Sequence, residues 1–361
     1  MKQVKRAISL LVVLLFTVGL TACNSTKGQT SQPPVSEHSA MPTSSIAAEA
    51  EWPETPEQVY ALSVGVTIAQ NTPSGQALLA IKDELESRSN GAVTLDIYWE
   101  STIGGATEIA ESVMTGTLDI GLVSSAIISN YTPTIDVMSL PFIISNREQV
   151  KAIIDVCFDD VTAGMEDTIG IPLGIWEFGY RHLCTRDKEV KKLEDCQGLS
   201  IRVMDGQIYT ATFNALGCIP QNIATSELVT ALQQGVVDGV EEPFSMICGQ
   251  QQYAFCKYVA MIGYNYSVGC PVMSTSTADR LPSQVVTLVK EVFHDYRYYT
   301  VEQGQGFEDD YIATCVENGM TINYLDDAEL TRFQEAVASI WDEYADTIGA
   351  EVIDKVANIS Y

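Results

Sequence analysis

Residues 198–243 read GLSIRVMDGQIYTATFNALGCIPQNIATSELVTALQQGVVDGVEEP, and four local signals follow one another there. Ser200–Val203 belongs to a short apolar strand carrying a single arginine, Arg202. Ala215-Leu216-Gly217 reads as a helix stop, because glycine adopts the left-handed conformation that ends helices. Thr225 or Ser226 supplies the N-cap of the next helix, and Glu227 puts an acid in its first turn. That helix ends on Gly235, and the chain enters a strand leading to Glu241-Glu242-Pro243.

The same alternation extends outward. Strands are expected at 60–67, 93–99, 120–123 and 171–176, with helices between them at 75–87, 107–115, 147–157 and 227–234. Short apolar strands separated by amphipathic helices predict an α/β fold with mainly parallel sheets. Roughly 300 residues of such alternation is long for one core and comfortable for two lobes. A late helical pattern runs from about residue 283 to 318, with a glycine break expected near Gly304–Gly306.

The N-terminus carries an address. Lys2, Lys5 and Arg6 form a positive segment, and Ala7 to Leu20 is an apolar run too short to span a bilayer comfortably. Leu20-Thr21-Ala22-Cys23 has the shape of a bacterial lipobox, so residues 1–22 are expected to be a lipoprotein signal peptide and Cys23 the lipidated first residue. Residues 23–57 follow as a tether, rich in Ser, Thr, Pro and Gln and too polar to bury a core. This places the protein outside the cytoplasmic membrane. The formal net charge is −27, and the leader removes three positive charges more. So acidic a chain excludes nucleic-acid partners and adsorption to an anionic membrane.

The 198–243 stretch also resembles the extracytoplasmic solute receptors of tripartite ATP-independent periplasmic (TRAP) transporters, the C4-dicarboxylate-binding-protein family. There the region reads roughly G-L-K-I-R-V-P, A-L-G-A-x-P, then S-E-V-Y-x-A-L-Q-x-G-V-V-D-G-x-E-N-P. Ser89-Asn90-Gly91, Ile103-Gly104-Gly105, Gly116 to Ile120, Leu140-Pro141-Phe142 and Gly179-Tyr180-Arg181-His182-Leu183 match further family motifs in order. The resemblance implies a two-lobed, periplasmic-binding-protein-like (type II) α/β fold with an interlobe ligand cleft. It implies a long helix across both lobes, with 58–178 plus 268–307 as lobe 1 and 179–267 plus 308–361 as lobe 2. Its partners would be a small carboxylate and the TRAP permease subunits, with no cofactor.

Residue roles follow from the same resemblance. Arg202 stands where the family binds the ligand carboxylate, and a guanidinium fork suits that group. Arg181 stands at an auxiliary anion contact. Ser124, Thr225 and Tyr264 fall at cleft-lining positions, while Trp176 reads as core. Two acids depart from the pattern: Glu242 replaces the asparagine of E-N-P, and Asp205 follows the arginine strand. Either they accept hydrogen bonds from a ligand ammonium or hydroxyls, or they pair with Arg181. If Glu242 holds Arg181, only Arg202 is free, which favours a monocarboxylate.

An enzyme is a poor reading. Three histidines, His38, His182 and His294, are too few for a triad or a histidine metal cluster, and no nucleotide-binding or hydrolase motif is present. The eight cysteines after Cys23 form no C-x-x-C pair, so no metal site is expected, and their pairing is open. The rival within the fold is a receptor for an ATP-driven importer or a membrane sensor, with a cationic or neutral ligand held by Glu242 and Asp205.

Overall fold

The structure, a computed structural model, describes residues 52–361. The signal peptide, Cys23 and most of the tether lie outside the described residues. Trp52, inside the stretch assigned to the tether, packs half-buried against the core, and the Asn90 amide donates to the carbonyls of Trp52 and Pro53.

Ten strands form one sheet: β1 (Tyr60–Gly65), β2 (Val93–Tyr98), β3 (Ile120–Ser124), β4 (Ile171–Pro172), β5 (Trp176–Thr185), β6 (Ser200–Val203), β7 (Ile219–Asn222), β8 (Gly239–Pro243), β9 (Tyr258–Met273) and β10 (Thr321–Tyr324). The order is β2-β1-β3-β9-β5-β8-β6-β7, with β4 and β10 attached to β9. The outer ladders β1–β2, β1–β3, β6–β7 and β6–β8 are parallel, as the strand–helix alternation predicts. The centre corrects that expectation. β9 runs antiparallel to β3 and β5, and β5 antiparallel to β8.

β5 and β9 are the elements sequence reading missed. β9 is buried along most of its length and reads as a nearly continuous apolar run, whereas β5 breaks any apolar pattern with the buried charged and polar side chains of Glu177, Arg181 and His182. They tie the β1–β3 half of the sheet to the β6–β8 half. The β5–β9 register slips between Glu177 and Gly179 and again between Arg181 and Leu183. Such bulges bend a strand and re-aim its side chains. Gly179 serves the first with φ +112°, a conformation that side chains rarely adopt.

The late helical pattern also resolves differently. Helices span Ser283–Asp295 and Tyr299–Glu317, so the break falls at 296–298 and not at the glycines. Gly304 lies inside the second helix because a Cβ there would collide with the Glu177 carboxylate. The 19 residues of this helix extend about 28 Å at the helical rise. It packs on helices Pro73–Arg88 and Arg147–Val156 beside the first half of the sheet, and on helix Phe244–Gly249 and β10 beside the second. Trp176 is fully buried and stacks on Phe293 at 5.8 Å between ring centroids.

Candidate functional site

Strand register decides where the charged side chains go. Arg202 pairs with Val240 across the β6–β8 ladder, which sets Glu242, two residues on, on the face of Arg202. Arg181 pairs with Pro243 across β5–β8, which sets Glu241, two residues back, on the face of Arg181. The four form a buried cluster, with each side chain at most 3 % exposed.

Arg202 is held on three sides. Its Nε donates to the Ile223 carbonyl at 2.8 Å, Nη1 to Glu242 Oε1 at 2.6 Å, and Nη2 to Thr225 Oγ1 at 3.1 Å. A guanidinium has five N–H donors. Three are used, leaving one on each terminal nitrogen among the described contacts. Thr225, expected to cap its helix, serves the arginine instead. The helix begins at Thr225 with Ala224 at the N-cap and no side-chain cap bond.

Arg181 is closer to saturation. Nε reaches Glu241 Oε2 at 2.5 Å, Nη2 reaches Glu241 Oε1 at 2.9 Å and its carbonyl at 2.6 Å, and Nη1 reaches Ser267 Oγ at 3.3 Å. The Tyr264 hydroxyl donates to the same Glu241 carboxylate. The Tyr209 ring lies 5.3 Å from the guanidinium carbon, a cation–π contact. Glu242 approaches Arg181 only at 3.4 Å, so it bridges the two arginines and leans on Arg202.

The residues singled out in the sequence fall in different places. The acid that holds Arg181 most closely is Glu241, while Glu242 reaches it only at 3.4 Å, because consecutive strand residues face opposite ways and β8 has an arginine on each flank. Glu242 instead sits against Arg202, the arginine expected to take the ligand. Asp205 is exposed and joins neither arginine. Its carbonyl accepts a 3.4 Å bond from Asn130, in the turn after the short helix that follows β3. Tyr264 is buried, with its hydroxyl bonded to the Glu241 carboxylate. Ser124 ends β3 with a buried hydroxyl that lacks a partner among the described residues, and no hydrogen bond joins it to the arginines.

Electrostatics separate the two arginines. Burial, opposed by Glu242 and Glu241, leaves the Arg202 guanidinium below its ordinary pKa. Arg181 is equally buried, but Glu241 and Glu242 raise it well above. Burial also lifts Glu242 above the ordinary carboxylate range, with Glu241 adding to the rise against both arginines. Two cations and two carboxylates sum to no net charge. What is left over is donor capacity at Arg202.

Glu241 was missed because E-N-P drew attention to its second position. The parity of a strand flanked by two arginines would have found it, had the neighbours of β8 been known. No group of three or more His, Cys, Asp or Glu side chains among the described residues is arranged to hold a metal ion.

Similarity to known proteins fits this geometry. The profile of the bacterial extracellular solute-binding proteins, family 7, matches residues 64–347. A solute-binding protein from Verminephrobacter eiseniae is 26% identical over 82% of this chain and 88% of its own. A TRAP periplasmic solute-binding protein from Polaromonas sp. JS666, solved with D-erythronate, superposes with TM-score 0.78 at 25% identity, covering 83% of this chain and 99% of that one. A relative from Bordetella bronchispeptica, whose bound density is interpreted as pantoate, gives TM-score 0.79 at 26% identity over 84% and 100%. The chain belongs to family 7 of the bacterial extracellular solute-binding proteins, the two-lobed receptors that serve TRAP transporters.

Proposed function

We propose that this receptor captures a small hydroxylated monocarboxylate on Arg202 and delivers it to an ion-driven TRAP permease without altering it. The observation that carries the reading is the pair of N–H donors left uncommitted among the described residues on a buried arginine whose acidic partner within 3 Å, among those residues, is Glu242 alone. D-erythronate and pantoate, in the two relatives above, are both hydroxylated monocarboxylates, which supports the same class here. Arg181 is a supporting cation, because Glu241 already occupies it. A second ligand carboxylate would lack a free arginine, which argues against dicarboxylates.

Glu242 gives the ligand a second requirement. A carboxylate arriving beside it is a like charge, so the ligand must present a hydroxyl or ammonium to Glu242, or Glu242 must take up a proton. With Arg202 only 1 % exposed, entry requires the lobes to part. We place the lobe boundaries at 58–178 plus 268–307 and 179–267 plus 308–361. The bulged segment around Gly179, the middle of β9 and helix Tyr299–Glu317 are then the crossings. Cys23 is assigned as the lipid anchor; Cys23→Ser should release the protein from membranes.

A thermal-shift and calorimetric screen of the full chain against hydroxy acids, sugar acids, dicarboxylates and amino acids tests the reading. Hydroxy monocarboxylates should raise Tm, and Arg202→Ala should abolish the rise. A ligand indifferent to Arg202→Ala overturns the clamp. A preference for amino acids assigns Glu242 to an ammonium.

A further inference from the structure

Eight cysteines lie among the described residues, all as free thiols. Six of them meet in pairs: Cys184 with Cys256, Cys196 with Cys218, and Cys248 with Cys315. The first two pairs are buried, beyond reach of a reagent in solution. The third is built differently. Cys248, on helix Phe244–Gly249, is partly exposed, whereas Cys315 is buried in the last turn of helix Tyr299–Glu317. Their sulfurs stand 3.4 Å apart, and Cys248 Sγ also lies 3.3 Å from the Tyr311 carbonyl.

We propose that Cys248 and Cys315 form a reversible disulfide site that fastens the crossing helix Tyr299–Glu317 to the helix that follows β8. A disulfide bond is about 2.05 Å long. The sulfurs therefore close by little more than an ångström, a movement that rotation of the partly exposed Cys248 side chain can supply. The 3.4 Å contact divides the protons of the pair unequally, drawing the Cys315 thiol below its ordinary pKa and pushing Cys248 above it, so the Cys315 thiolate takes the Cys248 proton as Cys248 attacks and releases it before the second step. The protein works outside the cytoplasm, where disulfides persist.

The chemistry balances with a low-molecular-weight disulfide as oxidant. The Cys248 thiolate attacks one sulfur of the reagent, forming a mixed disulfide and expelling one thiolate. The Cys315 thiolate then attacks Cys248 Sγ, forming the protein S–S bond and expelling the second. Two electrons pass from the cysteine pair to the reagent, and the protons lost by the two cysteines go to the expelled thiolates. The bond spans 67 residues of chain, a segment that contains all of β9. Such a loop restricts the unfolded chain strongly.

The test uses the full chain, purified under reductant, treated while folded with oxidised glutathione, then acid-quenched, denatured, alkylated and peptide-mapped. The expected result is a linked Cys248–Cys315 peptide, with the other described cysteines still alkylated. Tm should rise and return when dithiothreitol is added. In Cys315→Ser, Cys248 should stop at the glutathione mixed disulfide, a readout independent of stability. The proposal fails if both thiols stay alkylatable in the wild type. It fails equally if wild-type Cys248 ends on glutathione or on another cysteine.

Discussion

Two arginine–glutamate clusters lie along β5, a few residues apart, one half-buried around Arg147 and one fully buried around Arg202, and they are built to opposite specifications. In one, Arg147 is gripped by acids: Nε lies 3.0 and 3.1 Å from the two Glu177 oxygens, and Nη2 reaches both Glu177 and Glu308 at 2.7 Å. Nη1 reaches Gln305 at 2.7 Å, and the Tyr266 hydroxyl closes the Glu177 carboxylate from the other side. In the other, Arg202 has one carboxylate and two neutral acceptors. Burial opposes the charge of both. Glu177 and Glu308 nonetheless raise Arg147 above its ordinary pKa, whereas Arg202 stays below. The lesson is that burial alone does not mark a ligand arginine. The mark is a cation with fewer acidic contacts than its donors can serve. Arg147, Glu308 and Gln305 join helix Arg147–Val156 to the crossing helix, so that cluster is structural.

Breaking each cluster should therefore read out in different quantities. Arg147→Ala leaves Glu177 buried without its cation and should cost about 3–5 kcal/mol of stability, seen in denaturant unfolding, with ligand affinity of the folded protein nearly unchanged. A matching loss of affinity would dissolve the distinction. Arg202→Ala should weaken ligand binding by roughly thirty-fold or more, the equivalent of ~2–5 kcal/mol, measured by calorimetry. Its effect on Tm without ligand should be the smaller of the two, since Glu242 retains Arg181 within reach.

Gly304→Ala sharpens the structural side. The added methyl meets the Glu177 carboxylate and should cost about 1–3 kcal/mol, unless the helix shifts, in which case Arg147 loses its grip as well. The smallest effect belongs to pH. Glu242 is raised in the folded protein, so its contribution to folding is fully present at low pH and is lost as pH rises through its folded value. An anionic ligand raises it further, so binding takes up a proton. Affinity should tighten as pH falls between the free and bound values, by at most about tenfold per pH unit. Glu242→Gln should flatten that slope. If the ligand instead offers an ammonium, Glu242→Gln weakens binding at every pH.

Several features were legible because they rest on local rules. Gly217 and Gly235 end their helices with φ +85° and +70°, as the helix-stop reading requires. β6 spans Ser200–Val203, and Arg202 is the buried cation that its strand setting suggests. The helix expected at 107–115 runs Ala106–Met114. By contrast, β9 is buried along nearly all its length and carries no alternation, and β5 hides charged residues among its apolar ones. The helix break near 297 could not be placed either, because Gly304 looked like the natural interruption. Only the packing of Glu177 against the helix explains why that glycine sits mid-helix.

By itself, then, the sequence determined the element types, the order of family motifs and which arginine stands at the family's ligand position, because each depends on neighbours along the chain. Only the tertiary structure decided which acid serves which arginine. Arg202 meets Glu242, Arg181 meets Glu241 and Asp205 meets neither, because β8 lies between β5 and β6. Which face of a strand meets which partner is set by pairing across chain separations of 40 and 60 residues. No local pattern encodes that register.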